Sequence, residues 1–507
     1  MSDRSKSSVG DRTVRGAALM TAQTLLTKVV TTVGQLVLAA ILLPEDFGLF
    51  ALAVTVVGYA SVIQKAGISE VLIREQGRLD RWVNAGFWMS QLLGWTSAIA
   101  MLAAAVPVSH LFGEDRIVGL IAVLAIAQPF LASTLVIEAK LERDMRYRDV
   151  ALVHGGSNIA QMLLMVLCAL LGLGAFSFAV PRVLIAASRL VWLWKLSAPR
   201  IRRRLQLHRW PFFLAAAGPT VGAALLEATV QQADYIVLGF VAASSATVGF
   251  YFFAFNQSTQ VAQLFVQSVV RVVMSGLSTL RDNPQRQVEV YLRGAGMLAA
   301  LAIPLGVLQA AAADPLLRFF FGDRWAGSIP LIQVLSIAAG VSAAGWPVVG
   351  LLMAQGRYAT RFRLRLWGAL VFVPLVGIGA ILGVPYQQEA MGVAIAVAAY
   401  RLLIAPISTL VGSRGTQVRR VTTIFVLPVI GSLLVLGPVT PAAQWLGQLL
   451  PGRLGYVLEL VVLLVLTAPG YWLWMRIAQR DTLTETLDRA RRVLPSRVSK
   501  YVPSWLG

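Results

Sequence analysis

Four basic side chains lie inside long apolar stretches of this sequence: Lys28, Arg182, Arg189 and Arg401. A charge at bilayer depth is costly and usually faces a polar interior, where a guanidinium fork can take an anion through two parallel hydrogen bonds. Arg182 and Arg189 are seven residues apart and so share one helical face. Lys28 has Thr21 and Gln35 seven residues to either side, a polar stripe at a depth from which snorkelling is hard. Asn256, Gln260, Gln263, Gln267 and Arg271 form a second stripe, suited either to hydrogen-bonding a polar solute or to joining helices. Glu227, Gln231 and Asp234 share a third face, and such carboxylates either bind a proton or Na⁺ or pair with Lys28 or an arginine. The structural alternatives are that Arg189 and Arg401 snorkel out of nearby helix ends, that Arg182 anchors at the interface, and that Asp234 is solvated near one. His154 reads as a hydrogen-bonded packing residue.

Positioning these groups requires a membrane. The 507 residues are 57% hydrophobic and 13% charged, with a mean hydropathy of +0.71, too apolar for a soluble domain. A spanning helix needs roughly 20 mostly apolar residues. Runs of that kind occur fourteen times, over 14–42, 47–64, 83–106, 117–137, 150–171, 175–195, 212–240, 248–271, 293–313, 327–354, 366–383, 390–411, 421–438 and 455–475. The expected fold class is an all-α polytopic membrane protein of about fourteen transmembrane helices. Pro129, Pro304, Pro347, Pro374 and Pro406 fall inside these runs and are candidate kinks, tolerated where neighbouring helices satisfy the freed backbone groups. The polar, mixed-charge first sixteen residues precede an apolar run too long for a signal-peptide core, so no cleavage is expected.

Charge placement tests the span count independently. Of 44 Lys and Arg, 36 fall in alternate loops and the two ends, whereas the opposite loops hold only Arg116, Arg318, Arg324 and Arg453. By the positive-inside rule both termini are cytoplasmic. The same rule accounts for the net charge of +20 without a nucleic-acid partner. Cys168, the sole cysteine, lies in an apolar run and reads as a packing residue.

The two halves repeat. Phe112-Gly113-Glu114 followed by Val123-Leu124-Ala125-Ile126-Ala127 recurs as Phe321-Gly322-Asp323 followed by Val334-Leu335-Ser336-Ile337-Ala338. Ala186-Ala187-Ser188-Arg189-Leu190 matches Ala398-Ala399-Tyr400-Arg401-Leu402, and Gly48 and Ala53 match Gly249 and Ala254 more weakly. Six spans per copy make both copies enter the bilayer in one direction, so they are related by an axis along the membrane normal. The expected organisation is an N-terminal lobe at 1–199, a basic cytoplasmic linker at 200–210, and a C-terminal lobe at 211–413. Two extra spans at 414–475 and a basic amphipathic tail at 476–507 follow.

Leu43-Pro44-Glu45-Asp46-Phe47-Gly48-Leu49, the stretch from Glu138 to Tyr147, Phe321-Gly322-Asp323-Arg324-Trp325, Pro330 to Leu335, and Gly350 to Ala354 resemble the Wzx-type polysaccharide flippases. These belong to the multidrug, oligosaccharidyl-lipid and polysaccharide exporter superfamily, and the likeness covers nearly the whole chain. Span ten and the Arg-rich loop after it are most like the colanic-acid and teichuronic-acid exporters. The resemblance implies two six-helix lobes around a central cavity, alternating access, and an undecaprenyl-pyrophosphate-linked oligosaccharide as substrate. It also implies a bacterial inner-membrane location, with a polysaccharide polymerase and a chain-length regulator as partners. On that footing Arg189 and Arg401, equivalent in the repeat, would grip one pyrophosphate. Arg182 would extend the basic track, while Lys28, Gln35, Gln260, Gln267 and Arg271 would line the cavity, and Glu227 and Asp234 would couple transport to an ion.

Two other classes fit the sequence less well. A drug or organic-cation exporter of the same superfamily would need an acidic cavity, against the basic excess within these spans. A membrane polymerase or glycosyltransferase would need a large outer loop or clustered outer acids, whereas Glu114, Asp115, Asp314 and Asp323 are scattered. None of the six lysines follows a glycine, which excludes a GxxxxGK[ST] nucleotide loop. No enzyme activity, cofactor or metal is expected.

Overall fold

The computed structural model describes residues 27–65, 68, 72, 79–144, 146–199, 201–280 and 283–478. The tail expected to be amphipathic therefore lies, beyond Ala478, outside the described residues, as does Thr21. Among the described residues all regular structure is helical. In chain order the helices are α1 (Thr27–Ile41), α2 (Pro44–Lys65), α3 (Leu79–Phe112), α4 (Arg116–Arg143), α5 (Tyr147–Leu170), α6 (Phe176–Ser197) and α7 (Trp210–Val241). There follow α8 (Ser245–Thr279), α9 (Pro284–Phe321), α10 (Ile329–Gly345), α11 (Val348–Ala354), α12 (Tyr358–Gly383), α13 (Glu389–Gly412), α14 (Val418–Gln448) and α15 (Arg453–Ala478).

Each expected span meets a helix, with α10 and α11 together answering span ten, so fourteen helical segments among the described residues correspond to the fourteen runs. The break within that span falls at Trp346-Pro347, where proline can neither donate to the preceding turn nor fit against it. Pro129, Pro304, Pro374 and Pro406 are instead carried inside continuous helices. Helix starts are chemically marked. Pro44 opens α2 with Glu45 and Asp46 in its first turn, where acids favour the positive end of the helix dipole. Asn283 caps α9 by accepting the Arg286 backbone N–H at 3.0 Å. The repeated Phe-Gly pair has one local role in both copies: Phe112 ends α3 and Phe321 ends α9. The glycine after each sits at positive φ, 66° for Gly113 and 61° for Gly322, in the left-handed region where glycine carries no steric penalty.

Contacts divide the chain into two compact units, Met1–Phe252 and Phe253–Gly507, the division falling within α8. In the first unit α4 is central, packed on α2, α3, α5 and α6. Gly94 lets α3 approach the α4 backbone at Gln128 and Pro129. At the head of α2, Phe47 and Phe50 close on Phe178 of α6, with ring centroids 4.9 and 4.6 Å apart, and on Phe252. Here the starts of α2 and α8 cross backbone to backbone. A Cβ on Gly48 would collide with the Ser245 carbonyl, and one on Gly249 with the Pro44 carbonyl. The linker is pinned to α3: the Asn84 side chain donates to the Arg204 carbonyl at 2.6 Å and accepts the Arg202 N–H at 2.7 Å. The Trp88 indole donates to the Arg202 carbonyl at 2.8 Å.

In the second unit α9 packs along α10 and against α14 and α15, while α12 and α13 pair with each other. A buried core of Tyr291, Leu298, Ile303, Leu351, Leu352 and Phe425 joins α9, α11 and α14. The outward faces of both units are apolar, as Leu163 and Leu170 on α5, Ile381 and Leu382 on α12, and Leu433 and Leu464 on α14 and α15 illustrate. Such a surface suits hydrocarbon and would associate in water.

Candidate substrate site

Arg189 lies thirteen residues into α6 and Arg401 twelve residues into α13, so each is near the middle of its helix rather than near the end that snorkelling would need. Arg189 does not snorkel. Its Nη2 donates to Glu138 Oε1 on α4 at 2.6 Å and lies 2.8 and 2.9 Å from the ring nitrogens of His154 on α5. His154 Nε2 is 3.4 Å from Glu138 Oε1. The Arg189 and Glu138 side chains are 19% and 16% exposed, and His154 is 36% exposed. The cluster is therefore enclosed by three helices but open on the histidine side. Arg189 Nε is buried with no hydrogen-bond partner among the described residues.

Glu138 was not among the residues singled out for chemistry, because the apolar run of span four ends at 137 and the carboxylate falls one position beyond it. The helix itself continues to Arg143, since the backbone ladder runs on through the polar last turn. His154, expected as a packing residue, is the open wall of the ion pair.

Arg182 is half-buried on the face of α6 that carries Arg189, about 10 Å nearer the helix start at 1.5 Å per residue. It has no ion pair or hydrogen bond among the described residues. In the second unit the Arg401 guanidinium lies over the Phe255 ring, 4.6 Å from its centroid, a contact that holds a cation without neutralising it. Lys28 and Gln35 are both half-buried on α1.

Polar residues of α8 outside the stripe join helices. Gln309 of α9 donates to the Gln257 carbonyl at 2.8 Å, and Ser258 bonds Ser336 of α10 at 3.1 Å. Gln260 is half-buried beside these contacts; the side chains of Gln267 and Arg271 lie outside the described residues. The α7 face divides. Gln231 donates to Glu227 at 3.0 Å near the surface. Asp234 is 2% exposed, not solvated, and accepts the Tyr251 hydroxyl at 2.7 Å and the Tyr235 N–H at 3.0 Å. Among the described residues no three His, Cys, Asp or Glu side chains cluster to hold a metal.

The comparisons with known proteins put this all-helical membrane protein with transport proteins rather than enzymes. Residues 37–330 match the family described as polysaccharide biosynthesis protein. The chain belongs to that family. It is similar to the succinoglycan biosynthesis transport protein ExoT of Rhizobium meliloti (strain 1021), at 26% identity over 90% of this chain and 92% of the relative. It is also similar to the lipopolysaccharide biosynthesis protein WzxC of Escherichia coli (strain K12), at 20% identity over 73% and 76%. Among solved structures, the lipid II flippase MurJ in an inward closed conformation shares the fold at a TM-score of 0.70 and 14% identity, over 90% of this chain and 99% of that one. An inward-facing multidrug transporter of the MATE family follows at 0.56 and 14%, over 78% and 95%.

Proposed function

We propose that this chain moves undecaprenyl-pyrophosphate-linked oligosaccharide repeat units from the cytoplasmic to the periplasmic leaflet of a bacterial inner membrane. The cycle is alternating access, and the product feeds exopolysaccharide, capsule or O-antigen assembly. The lobes of this reading are residues 1–199 and 211–413. Arg189 and Arg401, with Arg182 and Lys28, receive the pyrophosphate; Gln35, Gln260, Gln267 and Arg271 contact the headgroup; Glu227 and Asp234 bind the coupling ion.

The observation that carries the reading is Arg182, half-buried in a spanning helix with no partner among the described residues, seven positions from Arg189. A guanidinium in such a place is costly unless something anionic visits it. Family membership supports a lipid-linked polysaccharide precursor as that visitor. The test is polymer export in cells lacking the gene and supplied with single alanine variants of Lys28, Arg182, Arg189 and Arg401. Expected is a loss of about ten-fold or more for the arginines, the scale of one lost charge-assisted hydrogen bond of about 1.5–3 kcal/mol. Normal export in all four variants, at normal protein levels, rejects the site.

A further inference from the structure

Arg189 has an internal anion of its own, the Glu138 carboxylate. All of its ion-pair contact with Glu138 runs through Nη2. A bidentate pair would engage two nitrogens, and the Nε that could serve has no hydrogen-bond partner among the described residues. A phosphoryl group, with more acceptor oxygens and more charge than a carboxylate, can out-compete a one-nitrogen grip. The partly exposed His154 leaves a side from which it can arrive.

We propose that Glu138 is a resident stand-in for the substrate anion: it holds Arg189 while the site is empty, yields it to the pyrophosphate, and recaptures it as product leaves. This rests on reading Arg189 as a pyrophosphate ligand. The exchange solves a problem that an arginine as enclosed as Arg189 poses to a carrier. Removing the partner of a buried charge is strongly destabilising, so a carrier whose arginine had no internal anion would strand it at the end of each turnover. With Glu138 present, the arginine passes from one anion to another. The consequence is a lowered apparent affinity, because the ligand binds only the fraction of molecules in which Glu138 has let go, and that lowered affinity speeds release. Glu138 is thus a positioning residue, acting on the substrate through Arg189.

The experiment uses the full chain in lipid nanodiscs with farnesyl pyrophosphate as probe, and transport of a fluorescent polyprenyl-pyrophosphate sugar in proteoliposomes. Glu138→Gln keeps the shape and loses the charge. It is expected to bind the probe about ten-fold more tightly while turning over more slowly, a gain of affinity that a merely structural residue does not give. Glu138→Asp is expected to restore wild-type affinity. Should Glu138→Gln fail to fold, infrared difference spectra of the wild type with isotope-labelled glutamate read the same event, as a shift of a labelled carboxylate band on probe addition that Glu138→Asp replaces by a shift of an unlabelled one. Binding that needs Arg189 but is equal or weaker in Glu138→Gln, or an unmoved carboxylate band, overturns the exchange alone. Probe binding indifferent to Arg189→Ala overturns the site reading beneath it.

Discussion

Asp234 and Tyr251 show what a single hydrogen bond does at depth. Both are buried and joined at 2.7 Å, and a bond to a charged acceptor is worth about 1.5–3 kcal/mol. Tyr251→Phe removes the donor and leaves the carboxylate short of one partner, so a drop of several degrees in the thermal midpoint in detergent is expected. Asp234→Asn keeps an acceptor for the tyrosine and should cost less stability. If Asp234 is the ion-binding group, the same variant loses any dependence of transport on a proton or Na⁺ gradient, measured in proteoliposomes; an unchanged gradient response transfers the role elsewhere. The two readouts separate a packing role from a coupling role. At this scale the sequence was informative about residue type and weak about partnership. That Arg189 and Arg401 sit on equivalent helices followed from the repeat; that both lie near the middle of those helices did not, because a repeat matches positions without fixing where a helix ends. That Arg189 meets Glu138 and His154 did not, because it depends on how α4, α5 and α6 are rotated about their own axes, and no local pattern encodes three rotations together.

Helices were the more legible level. A hydrophobic run must become a helix in lipid because every backbone group has to be satisfied within its own segment, so the fourteen runs found helices with little ambiguity. Their ends were less visible. α9 spans Pro284–Phe321 where hydropathy outlines only 293–313, since hydropathy falls at the first charged turn whereas backbone hydrogen bonding continues to a cap. The weak Gly48 and Gly249 match gains meaning only in the structure, where each glycine faces the carbonyl four residues before the other. Gly48→Ala and Gly249→Ala should each force α2 and α8 apart and sharply reduce the yield of folded protein in a fluorescence size-exclusion assay. Gly222→Ala is the control, because a Cβ there meets nothing within 4 Å; alanine favours a helix over glycine by about 1 kcal/mol, so its yield should be unchanged or higher. Asn283→Ala removes the α9 cap and should cost about 1 kcal/mol.

The whole molecule is organised by where charge can go. Its apolar exterior sets the solvent, and the alternation of basic and neutral loops sets the direction of insertion. Reporter fusions placed after Leu205 and Asn283 should therefore report the cytoplasm, and those after Glu114 and Asp323 the periplasm; any inversion within that set dismantles the topology and, with it, the proposed direction of transport. The α2–α8 crossing has a consequence at this scale. It is written in main-chain atoms on both sides, so it carries no side-chain vocabulary to inherit. Two Cα hydrogens there cannot be replaced whatever side chains surround them, and an architecture anchored in that way can outlast much of the text that once spelled it.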